Sequence, residues 1–313
     1  MTLLLQYTTI YASVLILVAL GGCYSEHSGV INLGLEGVMV IGALGGALVM
    51  RFNPHLPPAL MLICTMLGAI LCGMLYSLFL AVAAISFKAD QTLVGTAMNL
   101  LGTAAATVLV KAINMAEDSH NVSSNVIYIQ QKKAFALAHF GTFELSWFMV
   151  IAAIALIVAH IVLYKTKFGL HLMACGEHPQ AADSVGINVS KMRYSGVLIS
   201  GLLGGLGGIV YITAGVSEWK FENGVAGFGF LALAVMIFGQ WKPKYIGLAA
   251  LLFGFFRALS NVYSGFDFLA AMKLPGTIYN MLPYIVSLVV LALFSKNSHA
   301  PKAEGIPYEK GQR

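Results

Sequence analysis

The sequence predicts an all-α protein that crosses a membrane about nine to ten times. Three observations carry this. Of 313 residues, 58% are hydrophobic and only 10% are charged, where a soluble domain carries roughly 25% charged residues. Mean hydropathy is +0.82. The apolar residues also fall in runs near the ~20 residues that a spanning helix needs. They are apolar nearly all round rather than along one stripe.

In chain order, the full-length runs are 3–22, 28–50, 58–86, 91–111, 145–164, 194–214, 244–263 and 276–295. A shorter run, "FGFLALAVMIFGQ" at 228–240, lies between "GVAG" and "WKPK" and spans only with help from those flanks. The membrane domain is therefore 1–295, followed by a polar tail at 296–313. If spans alternate, the loop 165–193 and the tail share one side with eleven lysines and arginines, against six on the side of segment 112–144. The positive-inside rule then puts the loop and the C-terminus in the cytoplasm and the N-terminus outside. That last step requires 28–50 to cross once.

Small residues recur four apart in "GALGG" (42–46) and "GLLGGLGG" (201–208). Such spacing lets helix backbones approach closely in lipid, and the two stretches form a weak internal repeat. Cys23, Cys64, Cys72 and Cys175 have neither zinc-site spacing nor a disulfide framework and read as small apolar fillers. "LVALGGC" (17–23) mimics a lipoprotein cleavage site, but residues 1–22 lack the basic start of a secretory signal.

Motifs for chemistry are absent. The chain has no GxxxxGK[ST], HExxH, CxxC or GxSxG, so nucleotide hydrolysis, a metal and a cofactor are not expected. A net charge of +5 without basic clusters among aromatics gives no reason to expect nucleic acid. Ionisable residues within the spans are Glu36, Arg257 and, at an edge, Asp90. So few argue against an ion-driven carrier and against a strongly charged solute.

"GVINLGLEG" (29–37) opens its run with three glycines, each weakening a helix by about 1 kcal/mol relative to alanine. Two readings stand. The stretch lines a cavity, with Asn32 and Glu36 offering polar groups to a solute, or it is a turn with Glu36 solvated or capping the helix start. In "DQTLVGTAMNLLG" (90–102), Asp90, Gln91 and Thr92 open a span and Asn99 follows within it. The Asn99 amide serves either a neighbouring helix or a solute. "HPQAADSVG" (178–186) predicts a short helix, with His178 as a possible cap, Pro179 in the first turn and Gly186 at the end. Between two spans such a helix is either a lever or an ordinary connector.

Four stretches also carry a resemblance: "SEHSGVINLGLEGVMVIGA", "ADQTLVGTAMNLL", "FGLHLMACGEHPQAADSVGINVSKMRYSGVLISGLLGGLGG" and "GVAGFGFLALAVMIFGQWKP". In order, from about residue 10 to 295, they resemble the permease family of ATP-driven importers for branched-chain amino acids, simple sugars and nucleosides. The first is most similar to the second permease of nucleoside importers. The resemblance implies a type-two importer permease that pairs with a second permease and sits above two cytoplasmic ATPase subunits. An extracytoplasmic lipoprotein would deliver a neutral solute, foremost a purine nucleoside. Riboflavin, a simple sugar or a branched-chain amino acid is the alternative cargo, and a membrane enzyme or ion-driven carrier the rival class. The resemblance places a coupling segment at Gly176–Asn188, recognisable at Glu177, Ala181, Ala182, Asp183 and Gly186. It places Asn32, Glu36, Gln91, Thr92 and Asn99 near the translocation path. Gly227 and Phe228 stand where the family pattern suggests "GRGF".

Overall fold

The computed structural model describes residues 2–126, 135–141, 143–215, 219–266, 275–294 and 299–310. Lys132, Lys133, Lys273, Lys296 and Arg313 of the charge comparison lie outside them. The helices are α1 (Thr2–His27), α2 (Leu35–Phe52), α3 (Pro58–Ala81), α4 (Gln91–Glu117), α5 (Trp147–Lys165), α6 (Lys167–Glu177), α7 (Pro179–Ser184), α8 (Val189–Val210), α9 (Phe228–Phe238), α10 (Pro243–Val262) and α11 (Gly276–Phe294). Among the described residues, eight helical segments are long and apolar enough to cross a membrane, and α11 adds a shorter apolar stretch. Each of the nine predicted runs is therefore helical over most of its length.

The main departure is in the second run. Its first residues, 28–34, are not helical, and α2 starts only at Leu35. Elsewhere the limits shift by a few residues in either direction, α5 starting at Trp147 and α9 ending at Phe238. α4 continues to Glu117, and π-helical turns at Val82–Ser86 and Tyr211–Gly215 extend α3 and α8.

α1 forms the axis of the bundle, with its side chains buried from Ile10 to Glu26. A helix with no solvent-facing stripe must be surrounded, and α5, α8, α9 and α10 surround it. The predicted small-residue stripes bring α2, α3 and α8 together. A β-carbon on Gly42 of α2 would collide with the Gly205 backbone of α8, and one on Gly73 of α3 would strike the Gly201 carbonyl. Close approach of three backbones gives the dispersion contacts that hold helices together where no hydrophobic drive acts. The outer faces of α3 and α5 present Leu67, Leu71, Leu75, Ile154, Ile157 and Ile161, the surface a lipid tail covers.

The two ends of the bundle differ. At one end, a hairpin of β1 (Ala136–Phe140) and β2 (Phe143–Ser146) exchanges two hydrogen bonds with Gln6, both of 2.8 Å through Glu144. Asn114 holds the carbonyls of Ser123 and Asn125, and Arg51 pairs with Glu117 at 2.6 Å. Of segment 112–144, residues 112–117 are thus helix, and the described residues 118–126 and 135–141 fold across this end. At the opposite end lie α6, α7, the turn at 239–242 and the tail residues 299–310.

Candidate functional site

The chain leaves α1 at His27 and climbs without helix to Leu35, so its backbone groups need partners in the absence of water. Side-chain amides supply them. The Gln91 Oε1 accepts from the Ile31 N–H at 2.7 Å. Asn99 works in both directions, donating to the Leu33 carbonyl at 2.8 Å and accepting from the Gly37 N–H at 2.9 Å. Asn32 accepts from the Gly34 N–H at 3.1 Å and donates to Ser200 of α8 at 2.9 Å. Three of the five residues expected near a path thus converge on one segment, each bonding its backbone, while Asn32 also reaches Ser200. Thr92 lies apart, exposed on α4. Asp90 caps α4, accepting from the Leu93 N–H at 2.8 Å.

Glu36 does something else. α9 starts below a left-handed Gly227 (φ 77°) with no cap from its own sequence. The Glu36 carboxylate reaches across from α2 and accepts from the Gly227 and Gly229 N–H groups at 2.8 and 2.7 Å. A carboxylate at a helix N-terminus satisfies orphan donors and meets the positive end of the dipole. Capping is the second of the two readings, but the helix capped is α9 rather than α2.

Around this start of α9 the spans gather polar and aromatic side chains. Tyr284 of α11 donates to the Ala226 carbonyl at 2.8 Å. Arg257 of α10 lies over the Phe228 ring, 5.4 Å from its centroid. Tyr211 and Tyr11 brace that ring at 4.5 and 5.4 Å. Asn261 donates to the Tyr11 hydroxyl. Phe228, Tyr11 and Tyr211 are buried, whereas Glu36, Thr103 and Arg257 are half-buried and Tyr284 is 37% exposed. Charged groups at such depth do not face lipid; they face a water-filled cavity or another protein.

At the other end, Thr166 and Asn188 punctuate a compact unit. The Thr166 hydroxyl caps α6 and the Asn188 carboxamide caps α8. α7 has Pro179 in its first turn and stops at Gly186, whose φ of 87° suits glycine. His178 occupies the cap position without a side-chain hydrogen bond. Ala182 is 3% exposed and packs with Cys175 and Val189. Glu177, Ala181 and Gly186 are exposed, Asp183 is half-buried, and Val185 is 75% exposed.

The tail is docked rather than free. The Ala303 N–H donates to the Gly176 carbonyl at 2.8 Å, and the Gly305 N–H to the Gly29 carbonyl at 3.2 Å. Arg193, 1% exposed, donates to the Ile306 carbonyl at 3.0 Å, and Lys88 pairs with Glu309 at 2.6 Å. Tyr308 and Asp183 line a cleft of about 440 Å³ beside α7. Glu304 faces Glu26, which accepts from the Trp241 indole N–H at 2.5 Å. His27, beside Glu177, contacts the Trp241 carbonyl at 3.0 Å. Sequence reasoning missed Glu26, Arg193, Trp241, Tyr284 and Glu304. The acidic and basic pair in "SEH" at the end of α1 was the one local signal for Glu26.

Burial pushes the Glu304 carboxyl up from 4.5 to about 7. The docked tail therefore holds a proton that an undocked tail releases near 4.5. Docking is strongest at acid pH and weakens as pH rises from about 4.5 through about 7. Hydrogen exchange of residues 299–310 is expected to quicken over that window, and Glu304→Gln is expected to flatten the dependence. Exchange with equal pH dependence in both proteins would remove Glu304 from this role.

The family model described as "Branched-chain amino acid transport system / permease component" matches residues 4–294. The chain is 41% identical to the guanosine ABC transporter permease protein NupQ of Bacillus subtilis (strain 168), over 100% of this chain and 98% of that one. It is 36% identical to the nucleoside ABC transporter permease protein NupC of Lactococcus lactis subsp. cremoris, covering 97% and 95% of the two chains. A putative glucose ABC transporter permease protein, TsgC13 of Haloferax volcanii, is 33% identical over 82% of this chain and 76% of its own. With helices of spanning length throughout and a match across nearly its whole length, the chain belongs to the permease family of branched-chain amino acid transport systems and is a transport subunit rather than an enzyme.

Proposed function

We propose that this chain forms one half of the membrane conduit of an ATP-driven nucleoside importer. A second permease completes the conduit, two ATPase subunits dock beneath it, and an external lipoprotein delivers the solute. The end bearing α6, α7 and the tail is the cytoplasmic one. The observation that carries the reading is end-to-end identity of 41% with a permease named for guanosine. The cluster at the start of α9 fits it chemically: aromatic rings, one guanidinium and backbone groups suit a neutral heterocycle better than an ion.

In this reading a loaded receptor docks outside and ATP draws the two ATPases together. Their movement passes through the exposed face of α7 into α6 and α8. Uptake of labelled guanosine by liposomes holding the complete importer, with ATP inside or outside, tests it. Uptake is expected only with receptor, ATPases and ATP on the cytoplasmic face, and unlabelled nucleosides are expected to compete where glucose and leucine do not. Solute accumulation by the isolated chain, or competition by glucose alone, would overturn it.

A further inference from the structure

Arg257 is a cation in the body of a spanning helix, about 20 Å along α10 from Pro243 at 1.5 Å per residue. Its guanidinium donates to the Tyr211 hydroxyl but enters no ion pair. The ion pairs within 4.0 Å among the described residues are Arg51–Glu117, Lys88–Glu309 and Lys111–Glu222, and none includes it. The nearby carboxylate, Glu36, already serves two N–H groups of α9. The Arg257 Nε is buried and makes no hydrogen bond. What the fold does provide is position. The guanidinium lies over Phe228, and that ring is wedged by Tyr11 and Tyr211. Beside it, Tyr284 is fixed through its hydroxyl to Ala226 and keeps 37% of its surface exposed.

We propose that Arg257 is a specificity-determining residue of the conduit that recognises the 6-oxopurine base of a passing nucleoside, with Tyr284 offering a ring for the base to stack on. This rests on the nucleoside reading above. A guanidinium presents a planar fork of donors and no acceptor. Guanine and hypoxanthine carry two adjacent acceptors, N7 and O6, at the spacing that fork matches. Adenine sets an amino donor where O6 stands, so one arm of the fork meets a donor. A monosaccharide offers no such planar acceptor pair. A carboxylate solute would form a full ion pair at depth, which holds rather than passes it.

The test uses the complete importer in liposomes. Initial uptake of guanosine, adenosine and 7-deazaguanosine is measured with each solute saturating the receptor, so receptor affinity drops out. Arg257→Lys keeps the charge and loses the fork; Arg257→Met keeps only the stem. Guanosine uptake is expected to fall about 10-fold or more in both, on the scale of one bidentate base contact. Adenosine and 7-deazaguanosine, each lacking one of the two acceptors, are expected to change less than about 3-fold on the same scale. Tyr284→Phe, which keeps the ring, is expected to retain the preference for guanosine. An equal fall for all three solutes would mark Arg257 as a packing residue and overturn the proposal. Unchanged rates in both variants would overturn it too. A wild-type importer that moves no nucleoside would instead refute the reading on which it rests.

Discussion

Asn99→Leu is expected to reduce folded protein sharply, with a lower melting temperature in detergent and little transport left to measure. Asn99 serves two backbone groups of the rising segment, the Leu33 carbonyl and the Gly37 N–H. Leucine shares the branched heavy-atom outline but returns neither hydrogen bond. Each buried group left unsatisfied costs about 1–3 kcal/mol, against a total stability on the order of 5–15 kcal/mol for a typical domain. Asn99→Asp keeps the acceptor for Gly37 and loses the donor to Leu33, so its loss should be intermediate. The same experiment separates the two roles open to this amide. If Asn99→Leu melted like the wild type yet failed to transport, the amide would belong to the solute and not to the backbone.

The second large effect is expected at α7. Val185 is 75% exposed, and Ala181, four residues earlier, is exposed too. Val185→Asp is expected to cut uptake at least about 100-fold, since a buried unpaired charge in a protein interface costs several kcal/mol. The permease should still insert and melt normally, while the ATPases no longer co-purify. Ala182→Arg makes the useful contrast. Ala182 is 3% exposed, packed against Cys175 and Val189, so arginine there should disrupt the unit itself and lower folded yield. Wild-type uptake by Val185→Asp, with ATPases still bound, would take α7 out of the coupling route.

Between them, these two sites show what a local pattern can and cannot convey. The α7 helix was legible because its signals are adjacent in the chain: Pro179 opens it, Gly186 closes it, and the body is six residues long. Asp90 capping α4 is equally local, with its partner three residues on. The tail was not legible. Nothing in "PKAEGIPYEK" shows that Glu304 will be buried against Glu26 or that Arg193 will hold the Ile306 carbonyl. Burial of the tail depends on the surface that α1, α6 and α8 jointly present, and that surface exists only after the bundle has formed.

The sequence by itself determined the solvent, the number of spans, the small-residue contacts and the short helix of the 165–193 loop. These follow from hydropathy and from glycine and proline, whose effects act within a turn or two of the chain. Only the tertiary structure decided what the intramembrane polar groups do. Gln91 finds Ile31 at a separation of 60 residues, Asn99 finds Leu33 at 66, and Glu36 finds Gly227 at 191. A polar group at membrane depth must take its partner from whichever helices cross at that height, and the crossing is set by packing rather than by any neighbouring residue.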